Sequence, residues 1–186
     1  MIRDEDMRNA MNLIEFGELH VYKLFPEAHM PVYGTDWSAC FDMKASIRPD
    51  DVVSVHRKDN SKRKVKIDPN NGNGITLYSG ERILVPTGLV FDLNEDQSLR
   101  IHPRSGLAWK YGITVANCEG VVDADYVQQT YVMLMNASNE PFLICDGDRV
   151  AQGEIVENNK VWFIETNIEP VDKTDRNGGF GSTGVQ

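Results

Sequence analysis

The chain has 186 residues, 41% apolar and 25% charged, close to the averages of soluble globular domains, and that length fits one domain with a sizeable core. Its 19 basic against 28 acidic residues leave a net charge of −9, which argues against whole-chain affinity for nucleic acid or anionic membranes. No apolar run approaches the ~20 residues of a bilayer span, and three dispersed cysteines, Cys40, Cys118 and Cys145, form neither a zinc-type pair nor a disulfide framework. The opening MIRDEDMRNAMNL carries three acids before any apolar stretch and does not read as a secretory signal, so a reducing cytoplasm is the expected compartment.

In chain order, Met7, Met11, Leu13 and Ile14 recur near one face until Gly17, predicting a packing helix within an N-terminal extension over residues 1–20. Strand signals then dominate. Short runs fall at Val21–Leu24, Cys40–Ala45, Val52–His56, Val65–Ile67, Ile75–Leu77, Ile83–Val85 and Gly88–Leu93. They continue at Leu99–His102, Gly112–Val115, Gly120–Val122, Gln129–Met135, Phe142–Cys145, Arg149–Val156 and Val161–Glu165. Each is bounded by Gly, Pro, Asn or Asp, the pattern of an all-β sandwich or barrel, and none alternates with long helices. No internal repeat is present. Residues 56–74 stand apart as a basic insert, with six basic residues between Arg57 and Lys66. They read as a solvated hairpin or loop between core strands, or as a patch for an acidic partner or nucleic acid. Interleaved aromatics for stacking on single strands are missing.

Several segments carry chemistry. Asp42 is an acid inside an apolar strand, so it needs an arginine or a metal–water shell beside it. Pro103-Arg104-Ser105-Gly106-Leu107-Ala108 begins at a strand end. A helix starting near Ser105 would offer free N–H groups, a hydroxyl and Arg104 to an anion; the same residues also describe a Ser-capped helix with a surface arginine. Asn117 to Tyr126 puts Asp123 and Asp125 at a hairpin tip, which turn chemistry alone accounts for. In a functional reading, one carboxylate takes a proton from water while the Tyr126 ring packs on a sugar or base. Gln152, after Gly147-Asp148-Arg149, can offer an amide to a phosphate, or reads as one more exposed glutamine. The stretch Arg176 to Gly184 holds four glycines in nine residues, with Phe180, Ser182 and Thr183. It reads as a disordered tail, or as backbone and hydroxyls for phosphate with a flat ring for stacking. It is not a Walker loop. The four histidines, His20, His29, His56 and His102, show no metal-ligand spacing along the chain and read as solvated or core residues. Cys118 reads as packing.

Taken in order, a strand Asp, PRSGLA, N-x5-D-x-D-Y, GDRxAQ and GGFGSTG form the set of five motifs that marks deoxyuridine triphosphatases, and the chain closely resembles the homotrimeric dUTPase family from about Val32 to Gln186. The resemblance implies an all-β fold, a single β-barrel or jelly-roll-like (β-clip) domain that trimerises, with active sites at subunit interfaces. It implies hydrolysis of dUTP to dUMP and diphosphate, with no membrane partner. Asp123 would deprotonate a water that attacks the α-phosphorus in line, and Mg2+ would grip the triphosphate. Asp42 would hold that metal through water. Arg104, Ser105, Gly106 and Gln152 would contact phosphate. Asn117, Gly120 and the hairpin backbone would read uracil, with Tyr126 under the deoxyribose. Residues 175–186 would close over a neighbouring site, Phe180 stacking on uracil while Arg176, Gly181, Ser182 and Thr183 clamp the β and γ groups.

The match has departures. Cys40-Phe41-Asp42-Met43 stands where the family usually has Gly-Tyr-Asp-Leu, Val127-Gln128 replaces Arg-Gly, and Arg176 lies one residue closer to Gly178 than usual. The related dCTP deaminases need a glutamate ten residues after the hairpin Asp and an Asn three later. Here Asn136 is in place, but Met133 occupies the glutamate position, and a thioether cannot shuttle protons. A further alternative keeps the dUTPase scaffold and adds a regulatory or nucleic-acid-binding role through the basic insert.

Overall fold

Apolar and polar residues alternate along most strands, and that alternation decides the architecture. The computed structural model describes residues 17–69 and 73–174. In these, β1 (His20–Lys23), β2 (Val32–Tyr33), β3 (Phe41–Lys44), β4 (Val52–His56) and β5 (Lys62–Lys66) are followed by β6 (Ile75–Leu77), β7 (Arg82–Pro86), β8 (Leu89–Asp92) and β9 (Gln97–His102). A short helix, α1 (Ser105–Tyr111), leads into β10 (Ile113–Val115), β11 (Gly120–Asp123), β12 (Tyr131–Asn136), β13 (Phe142–Ile144) and β14 (Arg149–Glu157). One five-stranded sheet runs β10-β12-β7-β4-β5 and a second β11-β9-β14-β3-β2, with two-stranded sheets β1-β8 and β13-β6 beside them. The pairs are antiparallel.

The inward residues of both large sheets meet in one core: Phe41, Met43, Leu99, Ile101 and Ala151 from the second, and Val55, Ile83, Val85, Val132 and Leu134 from the first. The outward positions of the second sheet, Asp42, Arg100, His102, Gln152 and Glu154, remain half-buried and polar. Buried Asn136 is a structural residue. Its amide donates to the carbonyls of Leu77 (2.8 Å) and Glu140 (2.7 Å), and its oxygen accepts from the Ser138 backbone and hydroxyl.

The all-β expectation holds, with three corrections. No sheet closes into a barrel among the described residues, because each large sheet ends on strands that do not pair with each other. The helical extension does not reach residue 20: Gly17–Leu19 are non-helical and His20 already pairs with Asp92; residues 1–16 lie outside the described residues. Val161–Glu165 is not a strand, although its β-branched and aromatic residues favour one: among the described residues no strand pairs with it. The two-residue β2 is too short to leave a sequence signal.

The basic segment is a true hairpin. β4 pairs with β5 from Val52↔Lys66 to His56↔Lys62, and β5 forms the sheet's edge. Lysines facing out from an edge strand discourage further strand pairing. Arg63 is the exception. It turns in to a 5% exposed Glu81, donating through Nε to Oε1 (2.8 Å) and through Nη2 to Oε2 (2.6 Å).

Candidate active site

The site is built on the outer face of the second large sheet and on the segments that leave its strand ends. Phe41 and Met43 point into the core, so Asp42 between them must face out. There it meets two guanidinium groups. Arg104 Nε lies 3.2 Å from Oδ1 and Arg149 Nη1 lies 3.0 Å from Oδ2. Arg104 also donates from Nη1 to the Arg149 carbonyl at 3.0 Å. Gln152 pairs with Asp42 on one side and His102 on the other, so the three form a row across β3, β14 and β9. The acid inside an apolar strand thus has the arginine partner its burial requires. Arg149 was not singled out from the sequence. A register shift between Arg149 and Ala151 brings it beside Asp42, and bulges leave little trace in residue alternation.

Arg104 occupies the N-cap of α1 in extended conformation and makes no side-chain cap, so the Ser-capped reading is corrected: Ser105 is the first helical residue and is exposed. Open space surrounds the position a Gly106 Cβ would take. The backbone N–H groups opening α1 have no helical partner, and here they sit beside Arg104. Gly112 ends α1 at φ 66°, where its N–H returns to the Ala108 carbonyl at 3.1 Å. That left-handed stop sends the chain directly into β10.

The second group of residues lies on the connection from β10 to β11 and on β11 itself. The expected hairpin is not formed, because β10 pairs with β12 in the first large sheet and β11 with β9 in the second. The Cys118 N–H reaches the Val115 carbonyl at 3.1 Å, and Cys118 adopts φ 64°, a costly left-handed backbone for a residue with a side chain. Cys118 is exposed rather than packed, and Asn117 beside it is exposed too. Gly120 faces Ile101 across the ladder, and a Cβ there would stand 3.1 Å from Ile101 Cβ. Asp123 ends β11 opposite Ser98 and is exposed. Its carbonyl accepts from the Tyr126 N–H at 3.1 Å, while the Tyr126 hydroxyl donates to the Gln129 carbonyl at 3.0 Å. This fixes the tyrosine within the turn that follows β11. Asp123 lines an open cavity of ≈ 500 Å³ with Gln97, Asp125, Asn158 and Lys160.

One chain does not bring the two groups together. Asp42 and Asp123 sit on β3 and β11, three strand spacings apart in the order β11-β9-β14-β3. They are also offset along β14, since Asp123 lines up through Ser98 with Val156 while Asp42 lies opposite Gln152; the two displacements combine to roughly 19 Å at the usual strand spacings. Arg176, Phe180, Gly181, Ser182 and Thr183 lie outside the described residues. For Mg2+, a hard cation that keeps waters and takes one or two carboxylates plus phosphate oxygens, Asp42 fits as the single carboxylate beside a phosphate site.

Comparison with known proteins bears on the family and the fold. The dUTPase family model matches residues 73–184. A deoxyuridine 5'-triphosphate nucleotidohydrolase of Rhizobium rhizogenes is 37% identical over 181 residues, 97% of each chain. One from Finegoldia magna is 44% identical over 113 residues, 60% of this chain and 78% of its own. Among solved structures, a Staphylococcus bacteriophage 80alpha dUTPase mutant with dUpNHpp superposes with a TM-score of 0.70 at 18% identity, over 91% of this chain and all of that one. A mutant dUTPase from phage phi11 of S. aureus, described with a structural Mg(II) ion, reaches 0.63 at 16% identity, over 82% of this chain and 98% of that one. With four of its five motifs inside residues 73–184, a relative matched over nearly the whole chain and a dUTPase of the same fold, the chain belongs to the dUTPase family.

Proposed function

We propose that the chain hydrolyses dUTP to dUMP and diphosphate, with Asp123 as the base that orients and deprotonates the attacking water. The observation that carries this reading is the exposed Asp123 lining an open cavity, three residues before a tyrosine whose hydroxyl is held by the Gln129 carbonyl. In-line attack at the α-phosphorus needs a water held between a base and the phosphorus, and a fixed carboxylate supplies this. Arg104 and Gln152, with the N–H groups opening α1 at Ser105 and Gly106, offer donors to a polyanion in spite of the net negative chain. Mg2+, when bound, neutralises charge that develops on the leaving diphosphate. Asn117 and the backbone beside Gly120 would select the base, since an unpaired site group rejects the wrong one. Tyr126 would cover the deoxyribose. Residues 175–186 would close the site, with Phe180 on the uracil and Arg176, Gly181, Ser182 and Thr183 at the terminal phosphates.

The active unit in this reading is a homotrimer. Two observations support it: the phosphate-side and base-side residues are separated within one chain, and Val161, Trp162, Phe163 and Ile164 are 67–96% exposed in an unpaired strand-like run. Among the described residues nothing covers this run, and a neighbouring copy would do so.

The test is diphosphate release from dUTP, dCTP, dTTP and UTP with magnesium, comparing wild type with Asp123→Asn. Turnover confined to dUTP and lost by a factor of about 10² or more in the variant is the expected result. Folded wild-type protein that binds dUTP without turning it over would sink the proposal.

A further inference from the structure

A second cluster lies on the same polar sheet face, one step along the strands from Asp42. Cys40 immediately precedes β3, His102 ends β9, and Glu154 lies on β14 between them. Their ligand atoms all lie within 4.8 Å of one another, and all three residues are half-buried. The registers Gln152↔His102 and Gly153↔Phe41 explain the convergence: they bring His102 and Cys40 to opposite sides of Glu154 on one face. Spacing in the chain hides this, because the three ligands come from three strands that meet only in the sheet.

From this geometry we infer that Cys40, His102 and Glu154 form a binding site for a transition-metal dication of the zinc type, separate from the magnesium used with the triphosphate. Sulfur, imidazole nitrogen and one carboxylate form a donor set that favours zinc over magnesium or calcium, which take oxygens. Bond lengths of about 2.0–2.3 Å would leave the ligand atoms roughly 3.3–3.6 Å apart, so small side-chain rotations close the site. Three protein ligands leave a fourth tetrahedral position for water or an outside ligand. Binding releases the Cys40 thiol proton to solvent and leaves a sulfur–metal bond.

A second observation points the same way. His102 Nε2 lies 3.2 Å from Glu154 Oε2, while Nδ1 faces Glu119 Oε1 at 3.6 Å. The Nδ1 contact is at ion-pair rather than hydrogen-bond distance; a shift of a few tenths of an ångström would give His102 the carboxylate support usual for a metal-binding histidine, which leaves the other nitrogen's lone pair for the ion. Glu119 is itself held by Arg100 at 3.3 Å, which also balances its charge. The ion would tie β3, β9 and β14 together at one point.

The experiment uses the full-length protein without nucleotide. Zinc is titrated against a chromogenic chelator, cobalt is substituted as a spectroscopic probe, and folding of every variant is checked by thermal melting without metal. One ion per chain and a thiolate-to-cobalt charge-transfer band are expected. Cys40→Ser should abolish the band and weaken zinc at least about tenfold, and Glu119→Gln should weaken it about 10- to 100-fold with the band kept. Folded wild type that takes up no zinc, cobalt bound without the band, or Cys40→Ser with undiminished affinity would each overturn the site. None of these readouts depends on dUTP turnover, so the hydrolase reading stands or falls separately.

Discussion

The row that carries Asp42 and Gln152 depends on the residue beside them. Gly153 sits in β14 directly across from Phe41, where a Cβ would stand 2.4 Å from Phe41 Cε2 and 3.0 Å from Leu99 Cδ1. Phe41 cannot give way freely, being stacked on Phe91 and met edge-on by Tyr33. Gly153→Ala should therefore cost about 1–3 kcal/mol in chemical denaturation through overpacking. An unchanged midpoint would mean that Phe41 has room the contacts deny. Single residues were also where the sequence was most and least legible. Asp42 could be read as an acid in need of an arginine because burial of a charge demands a partner. Arg149 could not, because its position depends on a bulge, and Cys118 was misread because its exposed left-handed turn has no compositional mark.

At the scale of the element, the basic hairpin divides into two kinds of cation. Lys62 and Lys64 point outward from the edge strand, whereas Arg63 anchors it to buried Glu81 and to the Thr76 carbonyl. The Arg63 hydrogen bonds hold the Glu81 carboxyl below its ordinary range. A depressed carboxylate contributes stability that is full above its unfolded pKa of about 4.3 and is lost as pH falls through the lower folded value. Arg63→Met, which strands a buried acid, should cost about 3–5 kcal/mol near neutral pH, and its deficit against wild type should narrow below about pH 4. Melting curves across that range check both the size and the sign. Replacing Lys62 and Lys64 with Gln should change stability by no more than about 0.5 kcal/mol and leave dUTP turnover unaltered; a loss of turnover would give the hairpin a part in the reaction. Strand positions were legible here because β-rich runs between turn residues survive in any context. The Arg63–Glu81 contact was not, since only the fold brings residues 18 apart together.

For the whole molecule, the separation of Asp123 from Arg104 makes a prediction about mixtures. Asp123→Asn and Arg104→Ala should each be inactive alone. Equal mixtures, dissociated and reassembled, should regain about a quarter of wild-type turnover if each site of a three-fold assembly takes one group from each of two neighbouring chains. Mixtures as inactive as their components would show that each chain completes its own site. The class of fold was legible in full, because short strands and turn residues repeat along the chain. The absence of barrel closure among the described residues was not, because whether edge strands meet is decided by twist and register rather than by local composition.

The contact of Asp42 with two arginines also bears on salt. Two guanidinium groups around one carboxylate leave a single excess positive charge at that point, so in the proposed reading the phosphate side would already carry an internal anion. An incoming triphosphate would compete with that carboxylate for the same donors. It would therefore displace fewer mobile anions than two bare arginines, giving nucleotide affinity a shallower dependence on ionic strength than the count of cations implies.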